Sequence, residues 1–182
     1  DFSEVFLFFD YDVHQTNLGK ADDGDVINQM LESFDNETEN GKLYISYPMV
    51  GALRDFEADK CGNGDNCFVE ISDLAEYKNI SSRNSLNPHF RDYNIDVWKE
   101  IVNVFSMRIS CLLGNAEVIS YEQYLDEANP HDIFMCEQAL AGNNKVFIIS
   151  AFPEFLVDYF GMKLWRTCVK HAKNQLDICN CK

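Results

Sequence analysis

Three short apolar runs stand out along the chain, each bounded by polar residues. They are EVFLFF (4–9), LYISY (43–47) and KVFIIS (145–150). Continuous apolar runs of this length are typical of strands buried on both faces, as in a parallel sheet. A helical pattern follows each run, beginning near residue 23, after Pro48 and at Pro153, since proline suits the first turn of a helix. This order predicts an α/β fold with a small, mainly parallel sheet flanked by helices.

The middle of the chain has a different pattern, dominated by helical spacing. Residues 95–113 carry apolar side chains around most of a helical circumference, which predicts a helix packed on several sides. A second helical stretch, 121–141, is interrupted near Pro130. We therefore expect a single α/β domain over 1–182, with a helical insertion at 70–142.

The chain of 182 residues has a formal net charge of −15, and the charge is unevenly distributed. Residues 1–40 contain eleven acidic residues and the single base Lys20, a net of −10. Phosphate binding normally depends on clustered Lys and Arg. The composition therefore excludes unassisted binding of nucleic acid, but it permits binding through a metal ion held by carboxylates.

A basic stripe near the carboxyl terminus contrasts with this acidic start. Lys163, Arg166, Lys170 and Lys173 share one helical face. One interpretation is a solvated face that complements the carboxyl end of the helix dipole. The other is a nucleic-acid-binding face directed at phosphates.

The sequence also bears on localisation. No apolar run approaches the roughly 20 residues that cross a bilayer, and DFSEVFLFF lacks the features of a signal peptide. We expect a cytoplasmic protein with no membrane partner.

The pattern with the clearest chemistry is an apolar strand that ends in Asp-x-Asp. Asp10 and Asp12 follow the run at 4–9, and His14 comes shortly after. Residues i and i+2 of an extended chain point the same way, and ligands of open α/β sheets bind at the carboxyl ends of the strands. The two carboxylates are therefore candidate ligands for Mg²⁺ or Mn²⁺ and candidate catalytic residues. The simpler alternative is that they face water at the end of a strand.

FFDYDVH (8–14) resembles the Asp-x-Asp motif of Toprim domains, the metal-dependent fold of topoisomerases, primases and OLD-type nucleases. GKLYISYPMVGALRDF (41–56) is similar to a strand-and-helix segment of the OLD and RloB-like bacterial proteins, and KVFIISAFPEFLVDYFG (145–161) is similar to their carboxyl-terminal segments. The resemblance implies a divalent-metal-dependent nuclease in bacterial phage defence, with Asp10 and Asp12 as metal ligands and nucleic acid as the partner held through metal.

Two features depart from that family pattern. The acid that usually follows the proline is replaced by Val50, Gly51 and Ala52, or is displaced to Asp55. The catalytic Glu that Toprim domains carry on a preceding strand has no counterpart among these residues. The resemblance therefore leaves the acidic triad incomplete.

Two other functions remain open. Haloacid-dehalogenase-like phosphatases also have a strand that ends in Asp-x-Asp; there Asp10 would attack phosphate, Asp12 would act as acid and base, and Ser150 and Lys163 would assist. Alternatively, the chain is a non-catalytic interaction domain or pseudo-enzyme. FPEFLVDYF (152–160) would then anchor a homodimer or a protein partner, although such aromatic density is more typical of a core.

Overall fold

The computed structural model describes residues 3–11, 21–56, 67–84 and 89–169, with the backbone alone for 21–25 and 83–84. Its first sheet has three strands in the order β1-β3-β2. β1 (Phe6–Asp10) pairs in parallel with β3 (Gly41–Ser46), and β2 (Asp35–Asn36) pairs antiparallel on the other side of β3. β1 therefore lies at an edge. The expectation that this run is buried on both faces is wrong, because Phe8 and Phe9 are 40% and 48% exposed.

A second sheet consists of two antiparallel strands, β4 (Phe68–Glu70) and β5 (Lys145–Phe147). An antiparallel bridge between Tyr47 and Ile149 connects it to the end of β3. The chain is thus α/β, as the order of elements predicts, but the prediction of a mainly parallel sheet is not confirmed, because the described sheets are mixed and antiparallel. β1 and β3 form the single parallel strand pair in the described part of the chain.

The described ranges contain six α-helices around these sheets. They are α1 (Ala21–Ser33), α2 (Leu74–Asn84), α3 (Ile95–Leu112), α4 (Tyr121–Glu127), α5 (Pro130–Ala141) and α6 (Ala151–Cys168). Short 3₁₀ helices lie at Val50–Asp55, Ile71–Asp73 and Phe90–Asp92. The predicted break near Pro130 is present, since Asn129 caps α5 and Pro130 occupies its first turn.

The helices cover both faces of the first sheet. Phe8 on one face contacts Phe152 and Phe155 of α6, while Tyr11, one position beyond β1 on the other face, contacts Phe134 of α5. α3 packs against the outside of α6 and, as predicted, is buried at positions all around its second half. Side chains from both ends of the chain and from the helical middle join one hydrophobic core.

A buried arginine connects α3 to the two sheets. Arg108 is fully buried and donates to the carbonyl oxygens of Ile148 and Asp55, at 2.6 and 2.7 Å. Its guanidinium lies over the ring of Phe56. Because one guanidinium bonds to both carbonyls, the side chain fixes the 3₁₀ helix that follows β3 relative to the residues that follow β5.

α6 runs in the direction opposite to β1. Phe152 near its start contacts Phe8, whereas Tyr159, two turns later, contacts Phe6 at the beginning of β1. A break at Gly161 (φ 64°, ψ −156°) then redirects the last two turns. The amino terminus of α6 consequently lies at the carboxyl end of β1, and the helix runs toward the amino end of β1 as far as Tyr159. No helix in the described ranges is long and apolar enough to span a membrane.

Candidate functional site at the carboxyl ends of the parallel strands

Asp10 lies at its predicted position, the carboxyl end of β1. It is the register partner of Ser46 at the end of β3, and its side chain is exposed to solvent. Its Oδ1 accepts a hydrogen bond of 2.7 Å from the backbone N–H of Val50. This contact connects the end of β1 to the turn after β3 and fixes the orientation of the carboxylate.

Ser46 and the amino terminus of α6 form the adjacent wall of the site. Ser46 is 3% exposed, and its hydroxyl oxygen accepts a hydrogen bond of 3.2 Å from the N–H of Ala151. Ser150 caps the same helix by accepting from the N–H of Phe152. The positive end of the α6 dipole therefore lies beside the strand ends, where it favours an anionic ligand.

Behind the strand ends lies a buried group of polar side chains. Tyr11 and Tyr47 follow Asp10 and Ser46 directly, are each 1% exposed, and have ring centroids 4.8 Å apart. Neither hydroxyl has a hydrogen-bond partner among the described residues. Burial raises the pKa of both phenols, and the buried Glu137 of α5 raises them further. These tyrosines remain neutral at physiological pH and separate the strand ends from the core.

Glu154 extends this interior group from the first turn of α6. It is 1% exposed, and one of its carboxylate oxygens has no hydrogen-bond partner in the described part of the molecule. Burial, followed by the nearby Asp158, raises the pKa of Glu154 well above its ordinary value of 4.5. Its carboxyl group is therefore protonated under conditions in which an exposed glutamate is charged.

Of the two predicted metal ligands, Asp10 lies within the described residues and Asp12 lies outside them, as does the nearby His14. Within the described ranges, no group of three or more His, Cys, Asp or Glu side chains is arranged to hold a metal ion. Asp10 can still contribute one ligand to a hard cation, because its carboxylate is exposed and held in one orientation by the N–H of Val50. Mg²⁺ commonly takes one or two protein carboxylates and completes its shell with water and phosphate oxygens.

The predicted basic residues lie elsewhere. Lys163 and Arg166 are exposed on the last turns of α6, after Gly161. Ten residues of α6, about 15 Å at 1.5 Å per residue, lie between its start at the strand ends and the break at Gly161 that precedes them. Lys170 and Lys173 lie outside the described residues. The structure therefore does not bring the described basic residues together with Asp10.

The positions of Ser150 and Lys163 argue against the phosphatase alternative. Ser150 lies near the strand ends, but it caps α6, and Lys163 lies at the far end of that helix. Lys163 therefore does not reach a phosphate bound at Asp10 in this arrangement.

The acid expected after Pro48 does not join Asp10. Asp55 is 5% exposed and accepts a hydrogen bond from the hydroxyl of Tyr77 in α2. Gly51 is buried, and a Cβ at that position would lie 3.3 Å from the hydroxyl oxygen of Ser81. This side of the 3₁₀ helix therefore faces α2.

The acceptor that attaches α6 to the sheet, Asp158, is not among the residues predicted from the sequence. Asp158 accepts hydrogen bonds from the ammonium of Lys42 and from the hydroxyls of Tyr44 and Tyr124, the last two at 3.0 and 2.8 Å. The burial of Glu137 could have been predicted from the sequence, because this acid falls on the apolar stripe of α5 with Ile133 and Leu140. The role of Asp158 could not be predicted in this way, because its hydrogen-bond donors lie far away in the sequence, on β3 and α4.

The aromatic segment 152–160 divides between core and surface. Pro153, Glu154 and Val157 are buried, whereas Tyr159 and Phe160 are 53% and 55% exposed. Its exposed side borders an open apolar groove of about 300 Å³ between α3 and α6. The segment thus serves mainly as core, with an aromatic margin on the surface.

The chain was compared with known proteins at three levels. No family model, no curated protein and no solved structure matches it.

Proposed function

We propose that this chain is a divalent-metal-dependent phosphodiester hydrolase of the Toprim-like kind. Asp10 and Asp12 would hold Mg²⁺ or Mn²⁺, and nucleic acid would be the substrate. The observation that supports the proposal is the position of Asp10: an exposed carboxylate at the carboxyl end of a parallel strand pair, oriented by the N–H of Val50. Ligand sites of α/β proteins lie at this edge. The cytoplasmic role in phage defence is part of the same proposal.

The residues around Asp10 suit a phosphate ester bound through a metal. The divalent ion, when bound, would supply Lewis acidity and lower the pKa of a coordinated water. Val50 keeps the Asp10 carboxylate in position through its N–H. The amino terminus of α6, attached to Ser46 by the N–H of Ala151, stabilises negative charge on the ester. Lys163 and Arg166 have no role in this site.

The charge distribution supports dependence on metal. The segment that carries Asp10 and Asp12 has a net charge of −10 over residues 1–40, which repels a polyanion. A bound divalent cation reverses the local field at the strand end. We therefore expect binding of nucleic acid to require metal.

Titration calorimetry with MnCl₂ and MgCl₂ tests the site. The wild type is compared with Asp10→Asn, Asp12→Asn and the control Glu39→Gln. Glu39 is an exposed acid in the same acidic segment but lies in the turn before β3, at the opposite end of that strand. The control therefore makes the same change in net charge away from the site. Both aspartate variants should lose metal affinity, and Glu39→Gln should retain it.

The reaction is tested with DNA, RNA, a phosphodiester chromogen and a phosphomonoester chromogen, each with and without EDTA. Metal-dependent cleavage of diesters that both aspartate variants lose is the expected result. Hydrolysis of the monoester alone would favour the phosphatase. Equal metal affinity in wild type and aspartate variants would contradict the metal site.

A further inference from the structure

The outer edge of β1 presents backbone groups that no strand among the described residues pairs. The N–H of Tyr11 donates to Ser46 and the carbonyl of Val5 accepts from Lys42, so the odd-numbered residues of β1 face β3. The N–H and C=O groups of Phe6 and Phe8 consequently face away from β3, and no strand within the described ranges pairs with them. An edge of this kind is a template for a further strand.

The side chains of this edge are exposed on both faces of the sheet. Phe8 and Phe9 are consecutive, so they point to opposite faces, and they are 40% and 48% exposed. A helix docked on one face would cover one of them. A strand added beside β1 would place side chains next to both while pairing the backbone of Phe8. The geometry therefore selects an extended occupant.

Charge identifies the chemistry of that occupant. Exposed acids, Glu4 and Asp10, flank the phenylalanines, and residues 1–40 carry a net charge of −10. Two copies paired through β1 would bring two such segments together, which like-charge repulsion opposes. A peptide with apolar residues in its centre and Lys or Arg at each end complements both the phenylalanines and the flanking acids.

We propose that the outer edge of β1 binds an extended peptide segment, apolar in the centre and basic at both ends, as an additional strand. The peptide pairs with the backbone of Phe6 and Phe8, but one of its flanking acids, Asp10, is also the proposed metal ligand, so peptide binding is measured in the presence of EDTA. The edge is thus a place where a partner protein joins the sheet next to the strand end.

The probe is the synthetic peptide acetyl-Lys-Lys-Val-Thr-Val-Ile-Val-Lys-Lys-amide. Its controls are the same peptide with Glu in place of Lys, and a version N-methylated at alternate central residues, which removes backbone donors without any change in the protein. The lysine peptide should bind about tenfold more tightly than either control. The glutamate peptide lacks the charge pairing, and the N-methylated peptide lacks several strand hydrogen bonds. Phe8→Pro removes one outward donor and should weaken binding, whereas Phe160→Ala on α6 should not.

Amide hydrogen exchange shows where the peptide binds. The outward amides of Phe6 and Phe8 should exchange quickly in the free protein and become protected by the lysine peptide, while the inward amides of Leu7 and Phe9 should be slow in both states. Failure of the lysine peptide to bind the wild type, binding without protection of Phe8, or equal binding of the glutamate peptide would overturn the proposal. A concentration-dependent dimer in which Phe8 is protected without peptide would assign the edge to a second copy and also overturn it.

Discussion

The carboxylate of Asp10 and the backbone N–H of Val50 are joined by a hydrogen bond of 2.7 Å, although they are 40 positions apart in the chain. The bond forms because parallel pairing brings the end of β1 beside the turn that follows β3. The structure therefore gives Asp10 a role in local geometry as well as a place in the candidate site.

This relationship predicts that metal binding and folding respond differently at Asp10. Asp10→Asn retains an acceptor oxygen for Val50, so its free energy of unfolding should stay within about 0.5 kcal/mol of the wild type while metal affinity is lost. Asp10→Ala removes the acceptor and should lower stability by about 1 kcal/mol, since Val50 is partly exposed and water replaces the bond. Urea denaturation with metal titration on both variants measures the difference. Similar destabilisation by both would show that the charge, rather than the acceptor, supports the turn.

Asp158 should be more important for stability than its partial exposure suggests. Its carboxylate satisfies the hydroxyls of Tyr44 and Tyr124, which are 0% and 2% exposed. Asp158→Ala should lower the free energy of unfolding by about 3 kcal/mol, because two buried donors lose their acceptor. Urea denaturation measures this loss. Asp126→Ala, an exposed acid on α4, should change stability by less than about 0.5 kcal/mol.

A double-mutant cycle separates lost hydrogen bonds from lost packing at Asp158. Tyr44→Phe removes one of the donors, so combining it with Asp158→Ala should destabilise less than the sum of the two single changes. Strict additivity would mean that the carboxylate does not stabilise the tyrosine.

Much of the local structure follows from patterns that the sequence displays directly. The strand before Asp10, the break before Pro130 and the start of α6 at Ser150 depend on apolar runs, proline and caps. These are local preferences of the backbone and of neighbouring side chains. The placement of Asp10 at a strand end could be predicted for the same reason.

Strand neighbours and directions could not be read in the same way. EVFLFF is typical of a buried strand, yet β1 lies at an edge of its sheet. KVF, the strand β5, pairs antiparallel with β4, whose residues lie about 77 positions earlier in the chain. The separation of Lys163 from Asp10 depends on the direction of α6 relative to β1, which helical spacing does not specify. Tertiary packing decides these features.

Glu154 should make stability depend on pH. Its pKa is raised well above 4.5 by burial, followed by repulsion from Asp158. The folded state therefore binds this proton more tightly than the unfolded chain, so the contribution is fully present below pH 4.5 and is lost as pH rises toward the raised pKa. Relative to Glu154→Gln, which does not titrate, the wild type should lose up to about 1.4 kcal/mol per pH unit above pH 4.5.

Urea denaturation of wild type and Glu154→Gln across a series of pH values measures this slope. Glu127→Gln on α4 is the control, because Glu127 is exposed, and its stability curve should parallel that of the wild type. Parallel curves for Glu154→Gln and wild type would contradict a protonated Glu154 in the folded state.

Gly161 should be required for the change of direction within α6. Its backbone has φ 64° and ψ −156°, a combination that is essentially restricted to glycine. Gly161→Ala should therefore lower the free energy of unfolding by about 1–3 kcal/mol. The alanine methyl group itself has space, since a Cβ would lie 3.5 Å from the hydroxyl of Tyr121.

Gly142→Ala is the matched control, because Gly142 has helical angles of φ −59° and ψ −22°, and this variant should not be destabilised. Urea denaturation of the two variants compares them directly, and equal effects would show that backbone strain at Gly161 is not the cause.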